Sequence, residues 1–281
     1  MIVAEHIQQL KKAINHKKNA NPKGVIGFVP TMGALHNGHL QLIEKASQES
    51  DIVIVSIFVN PTQFNDPEDL KKYPRTISAD IEKLEKSNCD ILFLPHEKEV
   101  YPDGINSYKI DFSGLDKVME GKYRDDHFVG VAMVVERLFD IVQPNKAFFG
   151  LKDFQQVAII KHLVRVRQID VEIVPVNIVR SPEGLALSSR NQLLSKEQKE
   201  DALIIYNTLL FGKSLAKEYD NTADILRHMK AYFDKGSLKL EYMEIVDPNT
   251  LKPLQSLEPG AHCCIAAYCG EVRLIDNMQI R

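Results

Sequence analysis

An α/β fold, with a doubly wound parallel sheet over residues 1–179 and a smaller α+β domain over residues 180–281, follows from three features of the sequence. Short apolar runs rich in β-branched residues recur between segments of helical spacing. Small, polar turns follow those runs, where a parallel sheet presents its ligand-binding edge. Past Arg180 the texture changes to helices and then closely spaced strands, the pattern of a separate α+β layer.

Ile7, Leu10 and Ile14 share one face of a helix predicted over 4–18, which Asn21-Pro22-Lys23-Gly24 ends. A strand over 25–30 then leads through a small-residue turn into a helix over 37–49 with Leu40, Ile43, Ala46 and Ser47 inward. Residues 52–59 are apolar nearly throughout, as a strand covered on both faces requires, and they complete a βαβ unit. Asn60-Pro61 stops that strand. The next unit is a helix over 76–87, with Ile77, Ile81 and Leu84 inward, and a strand over 90–95. Residues 101–121 are irregular, with a short strand expected at 108–112. A helix over 128–142, a buried strand at 147–149, a helix over 154–167 and a strand over 171–179 continue the alternation, which is Rossmann-like.

Beyond Arg180, Ser181-Pro182-Glu183-Gly184 reads as a turn and 185–191 as a small-residue loop. Ser195-Lys196-Glu197-Gln198 has the spacing of a capping box and opens a helix over 196–218. A second helix over 222–235, capped by Asn221 or Thr222, precedes strands over 240–246, 262–269 and 271–275.

The net charge of −3 offers no positive field for nucleic acid or an anionic membrane, so small-molecule partners are expected. Met1-Ile2-Val3-Ala4-Glu5-His6 lacks the basic and apolar regions of a secretory signal, and no apolar run approaches the ~20 residues of a spanning helix. A cytoplasmic protein is the expectation. Cys89, Cys263, Cys264 and Cys269 suit a reducing compartment and read as buried thiols; adjacent residues of a strand point oppositely, which disfavours a metal at 263–269.

No Walker loop, dinucleotide fingerprint or His-Glu-x-x-His occurs. The turn Thr31-Met32-Gly33-Ala34-Leu35-His36-Asn37-Gly38-His39 instead joins a strand end to a helix start, where backbone N–H groups and the helix dipole favour a phosphate. His36 and His39, three apart, can lie on one face and stabilise charge growing on that phosphate. A zinc site would want a third ligand that the neighbourhood lacks, and two surface histidines at a turn remain the plain alternative. Lys152-Asp153 after a strand supplies a point charge and a capping carboxylate, with Gln155 and Gln156 in the following turn; alone, it is also what a solvated lysine and an N-cap look like. Ser188-Ser189-Arg190-Asn191 offers hydroxyls and a guanidinium fork suited to a polyphosphate, or a polar linker. Their shared position after predicted strands favours the functional reading.

These segments, with Ser56-Ile57-Phe58-Val59-Asn60-Pro61, Gln63-Phe64, Tyr73-Pro74-Arg75-Thr76, His127-Phe128, Gly184-Leu185-Ala186-Leu187 and Arg273-Leu274-Ile275-Asp276-Asn277, resemble the pantoate–β-alanine ligases of the HxGH nucleotidylyltransferase-like superfamily. The resemblance covers nearly the whole chain. It implies that Met32, Gly33, Ala34, Leu35, His36, Asn37, Gly38 and His39 line an ATP site, with His39 as proton donor and His36 on phosphate. It implies ATP contacts for Gly150, Leu151, Lys152, Asp153, Val179, Leu187, Ser188, Ser189 and Arg190. His36, His39, Lys152, Ser188 and Arg190 would carry the chemistry, Gln63 and Gln156 would hold pantoate, and Gln63 would also meet β-alanine. The family usually has Gly-Glu-Lys-Asp where this chain has Gly150-Leu151-Lys152-Asp153, so only backbone contacts transfer at Leu151.

The implied reaction joins pantoate to β-alanine through a pantoyl adenylate, releasing pyrophosphate and AMP. Mg²⁺ is implied by the polyphosphate and held largely through its oxygens, with no protein-borne metal site. Residues 180–281 would act as a lid, and a homodimer is implied. A nucleotidylyltransferase using a phosphorylated acceptor would want basic residues where Gln63 and Gln156 stand. A tRNA ligase would want a basic surface, and a non-catalytic ATP sensor would bind without turnover.

Overall fold

A computed structural model describes residues 1–65, 67–105 and 107–281. The chain divides into two units, one of residues 1–116, 124–151 and 156–177, the other of residues 117–123, 152–155 and 178–281.

The first unit is built on six parallel strands: β1 (Ile2–Ala4), β2 (Ile26–Thr31), β3 (Ile52–Ile57), β4 (Ile91–Phe93), β5 (Lys146–Gly150) and β6 (Glu172–Val176), in the order β1-β4-β3-β2-β5-β6. The α/β class expected from the sequence is the one observed. Side chains alternate across the sheet. Val29, Val53, Val55, Leu92 and Phe148 meet Leu42, Ile43 and Ala46 of the helix Asn37–Glu49 and Leu84 of the helix Ile77–Glu85. Phe28 turns the other way, onto Phe139 of the helix His127–Val142, with ring centroids 6.4 Å apart. The chain runs outward from β2 through β3 to β4, then returns to lay β5 on the other side of β2. Strand order therefore reverses between β2 and β5, and their carboxyl ends flank the crevice where such sheets bind ligands.

The second unit carries three antiparallel strands, β7 (Lys239–Val246), β8 (His262–Cys269) and β9 (Val272–Gln279), with β8 central. Helices Leu203–Leu215 and Thr222–Phe233 cover a core of Ile205, Leu209, Ile225, Met229 and Phe233 against Cys263, Ile265 and Ala267. Asn221 is the cap of the second helix, its side-chain oxygen accepting from Ala223 and Asp224 N–H.

Several expectations are corrected. Residues 2–4 form edge strand β1, and the first helix starts only at Ile7. Edge position leaves Ile2 and Val3 exposed, so the short run carries no burial pattern to betray it. Residues 108–112 form no strand; the Lys109 and Asp111 carbonyls are held by Arg167 and His162 side chains instead. The helix over 196–218 is two, Lys196–Asp201 and Leu203–Leu215, broken at buried Ala202 with no sequence breaker to mark it. On the helix Ile77–Glu85, Ile77 is exposed and Asp80 faces inward. The last strand continues to Gln279. All four cysteines are buried thiols. Among the described residues no helix is long and apolar enough to cross a membrane.

Candidate active site

Strand β2 ends on Thr31, whose hydroxyl donates to the Ser56 carbonyl at 2.8 Å and accepts from Gly33 N–H at 3.1 Å. Gly33 and Ala34 then both adopt positive φ, 81° and 50°. That conformation suits glycine and strains alanine, and it gathers successive N–H groups into a hollow that attracts an anion. The anion is the protein's own. Asp80, without exposed surface, accepts from Ala34 N–H at 2.9 Å and from Leu35 N–H at 2.8 Å. The Thr76 hydroxyl adds a bond to it at 3.2 Å, and Lys83 Nζ donates to the Leu35 carbonyl at 2.6 Å. Unpaired N–H groups awaiting a phosphate are therefore not what residues 34 and 35 offer; a carboxylate from a neighbouring helix has taken them.

The histidines satisfy the next donors. His36 Nδ1 accepts from Gly38 N–H at 3.1 Å, and His39 Nδ1 accepts from His36 N–H at 3.3 Å, a capping box built from two imidazoles. A nitrogen that accepts from a backbone N–H carries no proton, so each neutral ring holds its proton on Nε2. The ring centroids lie 4.1 Å apart. One helix start thus carries two adjacent Nε2–H donors, the arrangement that can stabilise developing negative charge.

Gln63 ends the 3₁₀ turn Pro61–Gln63 that follows β3. Its Nε2 lies 3.1 Å from Met32 Sδ, and its Oε1 accepts from Asn60 Nδ2 at 3.2 Å, so the turns after β2 and β3 meet. Asn60, 1% exposed, is the hub that sequence reasoning missed: it also donates to the Gly130 carbonyl and accepts from the Tyr101 hydroxyl at 2.8 Å. Burial pushes the Tyr101 phenol up to about 12, so it remains a donor at neutral pH. A Cβ on Gly130 would stand 2.2 Å from the Thr62 carbonyl oxygen, which fixes glycine there. His127 Nδ1 holds the Gln63 carbonyl at 2.8 Å.

Gly150 closes β5, and a Cβ there would meet nothing within 4 Å. Leu151 is half-buried, in the 3₁₀ turn Leu151–Asp153. Of the paired glutamines, Gln156 is half-buried, whereas Gln155 is buried and spends its amide on Glu120 N–H and the Val118 carbonyl. The turn after Lys152-Asp153 thus presents Gln156 more openly than Gln155.

In the second unit, Lys152 Nζ lies 3.3 Å from Asp153 Oδ1, and the Lys152 carbonyl accepts from Asn277 Nδ2 at 3.0 Å. Val179 and Leu187 pair with each other, Leu187 N–H donating to the Val179 carbonyl at 2.9 Å. Between them Gly184, at φ 116°, packs against the Tyr206 ring, where a Cβ would come within 2.1 Å. Ser188 caps the 3₁₀ turn Ser189–Leu193, its hydroxyl accepting from Arg190 N–H at 3.3 Å; Ser189 is buried and Arg190 half-buried. Asn191 ties this turn back to the Ala186 carbonyl at 3.0 Å. Asp80 had a signal in the sequence, a carboxylate between Ile77 and Leu84 on an apolar stripe; the Asn60 hub had none beyond its place after a strand.

Known proteins share this architecture along its whole length. A family model described as pantoate-beta-alanine ligase matches residues 2–279. The pantothenate synthetase of Christiangramia forsetii is 47% identical, covering all of this chain and 99% of that protein, and that of Aquifex aeolicus is 45% identical over 98% of each. The crystal structure of the Thermus thermophilus pantothenate synthetase is 40% identical and superposes with a TM-score of 0.91 over 100% of this chain and 99% of its own. A Francisella tularensis pantoate-beta-alanine ligase complexed with beta-gamma ATP and beta-alanine, also 40% identical, gives 0.83 over 100% and 98%. With the parallel sheet, its histidine-capped helix and the full-length likeness in agreement, the chain belongs to the pantoate–β-alanine ligase family.

Proposed function

We propose that this ligase condenses pantoate with β-alanine at the expense of ATP, through a pantoyl adenylate. The observation that carries the reading is the histidine pair in the turn after β2, which also meets the turn after β3 through the Met32–Gln63 contact, in a chain of this family. The relative complexed with beta-gamma ATP and beta-alanine supports the same substrates.

A pantoate carboxylate is ionised at neutral pH, so its attack on the α-phosphorus needs positioning and charge stabilisation rather than a base. One carboxylate oxygen bonds to phosphorus while the bond to the bridging oxygen breaks and pyrophosphate leaves. In this reading His36 and His39 donate through Nε2 to the phosphates, His39 as the proton donor, and Lys152, Ser188 and Arg190 balance the remaining charge. Met32, Gly33, Ala34, Leu35, Asn37, Gly38, Gly150, Leu151, Asp153, Val179, Leu187 and Ser189 line the nucleotide, while Gln63 and Gln156 orient pantoate. Ala34 and Leu35 serve through shape, because Asp80 holds their N–H groups. The β-alanine amine, its ammonium proton given up to bulk solvent, then attacks the acyl carbon; the bond from that carbon to the phosphate oxygen breaks, and AMP leaves with the proton that the new amide nitrogen sheds. Mg²⁺ would be held largely through the phosphate oxygens of ATP and would offset charge on the departing pyrophosphate. Residues 1–179 bind pantoate and most of the nucleotide, and residues 180–281, which carry Leu187 to Arg190, act as a lid that keeps the adenylate from water. A cytoplasmic homodimer completes the proposal, its assembly checked by sedimentation.

The test is pyrophosphate release from ATP and Mg²⁺ with and without pantoate. A rate that pantoate leaves unchanged sinks the proposal. His39→Ala should lower that rate by about 100-fold, the scale for losing one preorganised donor, with its melting temperature nearly retained.

A further inference from the structure

The proposed reaction uses none of Arg273-Leu274-Ile275-Asp276-Asn277, although this stretch of β9 reaches three separate segments of its unit. Arg273 donates to both Glu120 oxygens, at 2.7 and 2.8 Å, and to Glu241. Glu120 N–H in turn donates to Gln155 at 2.9 Å, beside the turn that carries Lys152. Asp276 accepts both Arg180 amino groups, at 2.5 and 2.9 Å. Arg180 also donates to the Gly184 carbonyl at 3.1 Å and to the Asn277 carbonyl at 3.3 Å, with its guanidinium 4.4 Å from the Tyr206 ring centroid. Asn277, 3% exposed, holds the Lys152 carbonyl.

The segments so tied are those that need placing. Residues 180–186 are bridged at Arg180 and Ala186, and 188–190 follow directly, returned to Ala186 by Asn191. Lys152 sits in a 3₁₀ turn, where the carbonyls lack a full set of helical partners. A lysine reaches its target on a flexible four-carbon stem, so the ammonium can be placed only as well as the backbone beneath it. We propose that Asn277 and the Arg180–Asp276 pair are positioning residues: strand β9 holds the Lys152 backbone and the base of the 188–190 loop in one frame, so that both meet the nucleotide together. The inference rests on the reading that these residues contact ATP.

The test uses the full chain and two variants, with pantoate-dependent pyrophosphate release, KM for ATP and circular dichroism at the assay temperature. Asn277→Ala should lower kcat by about 10- to 100-fold, the scale for a displacement near 1 Å, while KM for ATP moves less than about threefold. Arg180→Lys keeps the charge but not the two-pronged bond, and should lower kcat by about tenfold. A merely structural role would shift the melting temperature and spare kcat in the folded protein. Folded Asn277→Ala with kcat within twofold of the parent overturns the inference. Should that variant not fold, Asn277→Ser and Arg180→Lys decide on the same criterion, and failure of every variant to fold also counts against a positioning role. A parent chain without pantoate-dependent release instead sinks the reaction reading, a distinct result.

Discussion

Two buried aspartates, one in each unit, brace the segments that carry the proposed site residues by opposite means. Asp80 in the first unit grips backbone: two N–H groups of a left-handed turn and one hydroxyl, with the Lys83 ammonium only at 4.0 Å. Asp276 in the second grips a guanidinium, and that guanidinium grips carbonyls. The first needs no partner charge because N–H dipoles suffice for a carboxylate. The second is an ion pair in which burial raises the Asp276 carboxyl pKa, Arg180 offsetting only part of the shift. A pair of that kind is weak support while intact and costly when halved.

The comparison breaks first at Asp276. Asp276→Asn strands the Arg180 charge, whose side chain is only 17% exposed, and should cost about 3 kcal/mol in denaturant unfolding, near the lower end for a broken buried pair because the carbonyl acceptors remain. Removing both charges, as in Arg180→Met with Asp276→Leu, should restore most of that stability. A single variant within 1 kcal/mol of the parent, smaller than any halved buried pair, would make the two aspartates equivalent.

Asp80→Asn is the matching change in the first unit; the cation near it, Lys83, is 39% exposed and keeps its bond to the Leu35 carbonyl, so no buried charge is stranded. Its amide can accept from Ala34 or Leu35 but presents its own N–H₂ to the other donor, at about 1–3 kcal/mol. Because the turn leads directly into His36, pyrophosphate release should fall further than stability suggests, by about tenfold or more. Unchanged melting and unchanged rate together would show that Gly33 and Ala34 hold their shape unaided.

The contrast explains what the sequence could say. Strands 26–31, 52–57 and 146–150 were legible because burial on both faces leaves an apolar run, and the helices Asn37–Glu49 and Phe154–Arg167 were bounded correctly from their flanking turns. The histidine pair was legible because both rings belong to one helical turn. The Asn60 hub and the Arg180–Asp276 pair were not, and Asp80 showed only its place on an apolar stripe and not what it binds, since the partners lie 96 residues away for Arg180 and Asp276 and 45 for Asp80 and Leu35. Local spacing carries no trace of such pairings. Gln155 and Gln156 show the same limit: identical neighbours, of which only the fold buries one.

His262 gives the smallest effect and makes the second frame sensitive to pH. It stacks on Phe154 with centroids 4.0 Å apart, and its ring is hydrogen-bonded to Asn277, the end of the second frame. Burial lowers its pKa from 6.5, only partly opposed by bonds to Gly260 and Asn277. A depressed folded pKa means that the unfolded chain takes up the proton first, so this contribution is complete above about 6.5 and is lost as pH falls through the folded value. Melting temperature should therefore drop between pH 7 and pH 5, and His262→Phe, which keeps the stack but cannot titrate, should flatten the drop while costing little at pH 7. Parallel curves would mean that His262 takes up its proton alike in the folded and unfolded chain.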